Sequence, residues 1–469
     1  MKPYPEYKET GLAWLPKIPK HWELNRGKNL FIKANRPVSD NADVVTCFRD
    51  GVVTLRKNRR LTGFTESIKE IGYQGIRTGD LVIHVMDAFA GAIGVSDSDG
   101  KGTPVYSVCI AKKPAMTNNY YFAHLVRVMA KTGYIQSLYR GIRERSSDFR
   151  FEVFANQILP VPPVDEQAQI VRYLDAMTAT INKLIRAKKK QIALLQEQKQ
   201  AIINQAVTKG LDPHAEMKDS GIDWLGKIPK HWRLKRLGHF SSFQNGISAP
   251  GKYFGHGFPF MGYGEVYNYY ELPQTLTELA QSTSEEQRRY SILAGDVFFT
   301  RTSETIEEIA FSSVCLKTIP QATFSGFLIR VRPQPENIFP RYAKYYFRSQ
   351  CVRNYFVKEM NLVTRASLSQ RLLRNLPVLL PNLSEQKEIA AYLEKKCSEL
   401  AFIIAQCEKE ITLATEYKNS LILSAVTGKI DLRNTKVEFV ASDDQPIKDD
   451  SDLEADEESE PISTEGNEG

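Results

Sequence analysis

Arginines set among hydroxyl and amide side chains recur in this 469-residue chain. Arg56, Lys57, Arg59 and Arg60 form one dense basic run, and Arg143 and Arg145 lie in Gly-Ile-Arg-Glu-Arg-Ser at 141–146. Arg301, Thr302 and Ser303 follow a β-type run in Thr-Arg-Thr-Ser-Glu-Thr at 300–305, and Arg365 and Ser367 close Asn-Leu-Val-Thr-Arg-Ala-Ser at 361–367. The chemistry such groups suit is nucleic-acid readout. Guanidinium and ammonium groups neutralise phosphate, arginine pairs bidentately with guanine, and Ser, Thr and Asn anchor or read neighbouring atoms. For any single residue a solvated charged loop is about as good an account. The comparable placement of 141–146 and 361–367 in two halves of the chain favours function.

Catalytic constellations are harder to find. Phe-Met-Gly-Tyr-Gly at 260–264 has the Phe-x-Gly-x-Gly form with which adenine methyltransferases cradle S-adenosylmethionine, but a short glycine pattern is weak evidence alone. Its companion, Asn/Asp-Pro-Pro-Tyr/Phe, is missing, because the one Pro-Pro pair, Pro162-Pro163, is followed by Val164. Thr427-Gly428-Lys429 lacks the upstream glycine and the hydroxyl of a phosphate-binding loop. Turn or strand-edge roles suit Gly262 and Gly264 better. No histidine stands in metal-ligand spacing with a cysteine, and no structural metal is expected. The chain reads as non-catalytic.

The elements that must position the arginines come in two copies. Two long helical stretches match residue for residue at a spacing of 219: Ile170, Leu174, Ile181, Ile185, Ile192, Leu195, Ile202 and Ala206 fall on Ile389, Leu393, Leu400, Ile404, Ile411, Ala414, Leu421 and Ala425. Steps of three and four alternate along this seam, the rhythm of a coiled coil over about five heptads. Lys188, Lys199 and Lys418 interrupt it, which predicts local polar breaks or partner contacts. Each helix starts at Glu-Gln (166–167, 385–386) after a proline-rich connector and ends at Ala-Val-Thr (206–208, 425–427). A second repeat supports the duplication: Thr-Gly-Leu-Ala-Trp-Leu-Pro-Lys-Ile-Pro-Lys-His-Trp at 10–22 returns as Ser-Gly-Ile-Asp-Trp-Leu-Gly-Lys-Ile-Pro-Lys-His-Trp at 220–232.

Between these markers lie two strand-rich regions. β-type runs are expected at 44–48, 80–86 and 105–110, then at 296–300, 312–317 and 327–332, with helices at 118–139 and 341–360. Tyr342, Tyr345, Tyr346 and Phe347 have the helical spacing of core residues, which outweighs base stacking about three to one. The resulting fold is α+β. Two α/β domains are separated by an antiparallel coiled coil of two helices, each about 60 Å long at about 1.5 Å per residue. The boundaries are 1–159 for the first domain with its repeat, 160–212 for the first helix, 213–376 for the second domain with its repeat, 377–435 for the second helix and 436–469 for an acidic tail. An antiparallel pair would place one domain at each end of a dumbbell with approximate two-fold symmetry.

Composition narrows the class. The formal net charge is +7, and residues 441–469 carry twelve acids and one base, so the tail is −11 and the preceding 440 residues are +18. A body that basic suits a polyanionic partner, and the tail has too little apolar content to fold. No apolar run reaches the roughly 18 residues needed to span a bilayer, and no signal-peptide core is present, so the reading is cytoplasmic. Six cysteines without paired spacing read as small buried packing residues.

The two Lys-Ile-Pro-Lys-His-Trp repeats, the Leu-Pro-Val connectors, the Glu-Gln helix starts and the Ala-Val-Thr helix ends recur in order on both halves. In this the chain resembles the specificity subunit of type I restriction-modification systems over essentially residues 1–435. The resemblance implies two target recognition domains, each reading one half of a split double-stranded DNA site, with the paired helices setting the spacer. It also implies that two methyltransferase subunits are held by the helices and repeats, and that restriction subunits join them. S-adenosylmethionine and ATP with Mg would be bound by those partners and not by this chain. The loops at 141–146 and 365–367 look like recognition loops of that family. Unlike domains on a like frame predict an asymmetric bipartite site. The alternatives are a self-contained DNA methyltransferase or nuclease, opposed by the missing Pro-Pro-Tyr motif, and a coiled-coil scaffold without a nucleic-acid role, opposed by the +18 body.

Overall fold

The structure, a computed structural model, describes residues 2–39, 41–59, 71–138, 148–303, 309–359 and 366–437. It divides into two compact units, 1–189 with 409–469, and 190–408. Two continuous helices dominate, α1 (Val164–Lys209, 46 residues) and α2 (Leu383–Val426, 44 residues). Each unit therefore holds the start of one long helix and the end of the other.

The same sheet is built in both units. In the first, four strands lie in the order Phe31–Lys33, Tyr106–Ala111, Leu81–His84, Ile93–Val95, and all neighbours are antiparallel. In the second, the order is Ser241–Asn245, Leu328–Pro333, Val297–Thr300, Ser312–Val314, again antiparallel. Four of the apolar runs read from sequence, 80–86, 105–110, 296–300 and 327–332, supply the central strands of these sheets; the run at 312–317 gives the edge strand Ser312–Val314, and the run at 44–48 gives Val45–Cys47, which pairs with Val53–Leu55 in a sheet of its own. Both four-stranded sheets carry near-continuous Val, Ile and Phe, because helices or loops cover both faces. Asp80 and Asp296, at equivalent strand starts, are buried and paired with Arg36 and Arg332. Each also accepts a backbone N–H three residues upstream, from Arg77 and Leu293. Paired and hydrogen-bonded, these carboxylates avoid the penalty of an isolated buried charge.

Helical periodicity at 118–139 becomes Asn119–Lys131, capped by the Asn118 side chain, and a short helix Tyr134–Ser137 after Gly133, whose φ is +77°. The stretch expected at 341–360 breaks into Pro340–Tyr346 and Gln350–Glu359. Tyr342, Tyr345, Tyr346 and Phe347 are all buried, as core residues. The proline-rich connectors do more than stop helices. Ile158–Val161 pairs antiparallel with Glu23–Arg26, and Pro377–Leu380 with Arg233–Arg236, so each connector ties its repeat to its long helix.

In the first unit the long helices run antiparallel: Lys188 pairs with Glu410 at 2.6 Å, Lys418 donates to Asn182 at 3.2 Å, and Gln169 donates to the Thr435 carbonyl. In the second unit Lys199 lies near Cys397, and Gly210 lies beside Glu385, the same sense. Burial along the seam is uneven. Ile170, Leu174, Ile181, Ile185, Ile389, Leu393, Leu400 and Leu421 are buried, whereas Ile192, Leu195, Ile202, Ile404 and Ile411 are half-buried. All six cysteines are free and buried.

Candidate nucleic-acid interface

A polar latch, present twice, fixes each domain to the helices. In the first unit the buried Glu166 carboxylate accepts from Trp22 Nε1 at 3.0 Å, meets His21 Nε2 at 2.8 Å and accepts from the Tyr4 hydroxyl. In the second, Glu385 accepts from Trp232 Nε1 at 2.9 Å and meets His231 Nε2 at 2.9 Å. The next residue is an amide with no exposed area. Gln167 accepts from Asn118 N at 2.8 Å and donates to the Met116 and Pro162 carbonyls. Gln386 accepts from Phe339 N at 2.7 Å and donates to the Asn337 and Pro381 carbonyls. These bonds explain why Glu-Gln opens both helices and why His-Trp closes both repeats. The opposite helix end completes each latch: Tyr121 donates to the Val426 carbonyl, Tyr342 to that of Val207, and Gly428 and Gly210, at φ +71° and +76°, pack on Trp22 and Trp232.

Held on this frame, the second unit gathers two of the sequence-predicted segments. Arg301, Thr302 and Ser303 leave the end of the Val297–Thr300 strand. The strand Thr302–Ser303 then pairs antiparallel with Ala366–Ser367, Thr302 opposite Ser367. Arg301 is half-buried, its N–H donates to the Phe327 carbonyl at 2.9 Å, and its own carbonyl accepts from Leu368 N at 2.7 Å. Segments distant in sequence thus meet at one end of the sheet.

The matching place in the first unit was not singled out from sequence. There the Leu81–His84 strand ends in Val85, Met86 and Asp87, and Val85 N donates to the Val105 carbonyl as Arg301 N does to that of Phe327. Asp87 takes an ion pair from Arg49 at 2.9 Å, and His84 Nδ1 accepts from the Asp87 N–H. Met86 is exposed. The strand-end signal was legible, since Asp80 and Asp296 precede equivalent runs, but no run of arginines marks 84–87. The expected basic run is partly committed elsewhere. Arg59 pairs with Asp50 and lies over the Phe48 ring at 4.3 Å, Lys57 pairs with Asp43 at 2.5 Å, and Arg56 reaches Thr46 at 3.4 Å. Arg60, Arg143, Arg145 and Arg365 lie outside the described residues.

The profile of the type I restriction modification DNA specificity domain matches residues 105–194 and 229–413. The chain belongs to this family. It is 25% identical to the type I restriction enzyme EcoKI specificity subunit of Escherichia coli K12 over 58% of this chain and 57% of that one. It is 24% identical to the MjaVIII specificity subunit of Methanocaldococcus jannaschii over 60% and 64% respectively, so the matches span less than two thirds of either relative. A putative MjaX specificity subunit from the same archaeon is 24% identical over 90% of this chain and 96% of its own. A solved chain from a study of complex assembly and conformational transition of the type I R-M system matches in fold, with TM-score 0.67 at 17% identity, covering 88% of this chain and 99% of that one.

Within this specificity-family frame Gly262 allows a close approach, whereas Gly264 meets only ordinary contacts. A Cβ on Gly262 would lie 2.8 Å from the Glu278 carboxylate, and Gly262 precedes a helix of only six residues, Tyr263–Asn268. Among the described residues no cluster of His, Cys, Asp and Glu could hold a metal ion, and no helix is long and apolar enough to cross a membrane.

Proposed function

We propose that this chain is the DNA-reading, non-catalytic subunit of a type I restriction-modification complex, each unit reading one half of an asymmetric bipartite site in cytoplasmic DNA. One observation carries the reading: a like latch and a sheet of the same order present unlike strand-end tips, His84-Val85-Met86-Asp87 in one unit and Thr300-Arg301-Thr302-Ser303 in the other. Conserving a frame while changing its tips is what bipartite recognition of two different sequences requires. Arg56, Lys57, Arg59 and Arg60, with Arg143, Arg145, Arg365 and Ser367, are proposed to contribute further phosphate or base contacts.

Two methyltransferase subunits are the proposed occupants of the long helices, with restriction subunits joining to give cleavage. Exposed apolar residues off the seam support a paired docking surface. Leu184 and Leu194 on α1 are 48% and 55% exposed, and Ile403 and Leu413 on α2, each 219 residues later, are 40% and 54% exposed. S-adenosylmethionine and ATP with Mg are proposed to enter with those partners.

Selection from a randomised duplex library tests the reading, using the chain with its cognate methyltransferase subunit at fixed salt. Two short, unlike half-sites at fixed separation are expected. Salt-sensitive binding with no enriched sequence would leave only a basic scaffold.

A further inference from the structure

Phe327 stands out in the second unit because it is 61% exposed on a turn that has almost no freedom. Leu328 N donates to the Ser325 carbonyl at 3.0 Å, and Phe327 N donates to Ser325 Oγ at 3.3 Å. A second backbone segment lies directly against this turn: Gly326 N donates to the Ile247 carbonyl at 2.7 Å and Ile247 N to that of Phe324 at 2.9 Å. The approach is too close for side chains. A Cβ on Gly326 would lie 2.2 Å from Ser248 Oγ, and one on Gly246 would lie 2.1 Å from the Ser325 carbonyl oxygen. A large apolar ring is thus presented to solvent on rigid backbone, which reduces the entropy lost when it meets a partner.

Its neighbour says which partner. The Phe327 carbonyl accepts from Arg301 N, and Arg301 Nη1 reaches the Gly326 carbonyl at 3.4 Å, so the guanidinium lies against the turn that presents the ring. The equivalent position in the first unit is Val105, half-buried, beside Val85. The ring and the cation are therefore a feature of one tip only, as a specificity element should be. In the major groove the apolar landmark is the thymine 5-methyl group, and arginine takes guanine. We infer that Phe327 reads a thymine methyl group in the second half-site, adjacent to the base pair that Arg301 addresses. The inference rests on the DNA-reading function proposed above.

The test uses the full chain with its partner subunit and the duplex found by selection. Each thymine is replaced in turn by uracil, which removes only the methyl group, and wild-type, Phe327→Leu and Phe327→Ala proteins are titrated. One uracil in the second half-site is expected to weaken wild-type binding about fourfold, the worth of one buried methyl-sized group. Phe327→Ala is expected to bind the thymine and uracil duplexes equally, with Phe327→Leu intermediate and all three proteins showing the same amide hydrogen exchange in the second unit. Substitutions in the first half-site are expected to show no dependence on residue 327. If two half-sites are selected but no thymine shows a methyl effect coupled to residue 327, the inference is overturned and the DNA-reading function stands. Loss of affinity in Phe327→Ala that is insensitive to the methyl group, as a stacking wedge would give, also overturns it. If no sequence is selected at all, the underlying function fails and the inference goes with it.

Discussion

Replacing Gln386 by leucine is a severe perturbation of a single unit. The amide has no exposed area and makes three hydrogen bonds: from Phe339 N at 2.7 Å and to the Asn337 and Pro381 carbonyls at 3.0 Å each. Leucine fills nearly the same volume, so packing changes little and the polar loss dominates. Each bond contributes about 1 kcal/mol net, and a buried N–H left unpaired adds about 1–3 kcal/mol more. The expected destabilisation is therefore about 3 kcal/mol or somewhat above, against a typical domain stability of about 5–15 kcal/mol. A single melting temperature is a poor readout for a chain of two units. Amide hydrogen exchange resolves them, because local opening free energies are reported segment by segment. Protection across 309–359 should fall about a hundredfold or more in Gln386→Leu, while 106–138 keeps its wild-type rates. Gln167 makes the equivalent three bonds in the first unit, from Asn118 N and to the Met116 and Pro162 carbonyls, so Gln167→Leu should reverse the pattern. A loss below about threefold, or one spread evenly over both units, would refute the claim that the Glu-Gln helix start is a unit-specific latch.

Three further outcomes follow from other parts of the structure. Leu184→Asp with Ile403→Asp should weaken methyltransferase binding at least tenfold by co-sedimentation while leaving the isolated chain's exchange rates unchanged, since both side chains are 40% or more exposed. Deleting 441–469 removes a charge of −11 and should raise nonspecific DNA affinity at low salt, an effect that fades as salt is added; equal affinity with and without the tail would make it a solubilising appendage. His124 is half-buried on the Asn119–Lys131 helix, where burial first, and the neighbouring Arg127 cation second, push its imidazole down to about 4. Since the folded pKa lies below the unfolded value, the unfolded chain takes up the proton first. Stability should therefore fall as pH drops from about 6.5 toward 4, and urea titrations of His124→Gln should show a flatter dependence over that window.

What was legible in the sequence was what periodicity and repetition encode. A seam repeated at 219 residues gives two helices of nearly equal length, and only a narrow stripe of each is apolar, which calls for a helix as partner. The central strands were legible because their apolar runs are continuous, whereas Phe31–Lys33, Ile93–Val95 and Ser241–Asn245, in the same sheets, carry no such run. The connectors were misjudged in part: prolines at 160 and 377 mark a break in helix, but both fit a strand that pairs on one side only, with 23–26 and 233–236. Loops are where the reading ran short. Density of arginine drew attention to 56–60, yet in the structure Arg59 and Lys57 pair with Asp50 and Asp43, carboxylates whose proximity no sequence spacing announces. Conversely, 84–87 carries no arginine at all and was passed over, although it ends the strand equivalent to 297–300.

That contrast has a physical source. The latch residues act through short, directional bonds within one unit: Gln167 donates to the Met116 and Pro162 carbonyls, and Glu166 accepts from the Trp22 indole N–H. Such bonds demand one residue type at one position, so they survive duplication unchanged and become visible as a repeat. A recognition tip has the opposite requirement. Its backbone is held by the sheet, as Val85 and Arg301 show by making the same main-chain bond, and its side chains must complement something outside the chain. Two tips that read different bases are therefore free to diverge completely, and comparison of the halves erases them as efficiently as it reveals the frame. The place to look for specificity in such a chain is where the two halves superpose in backbone hydrogen bonding and disagree in side chain, which is the criterion that selects Arg301 and Phe327 over Val85 and Val105.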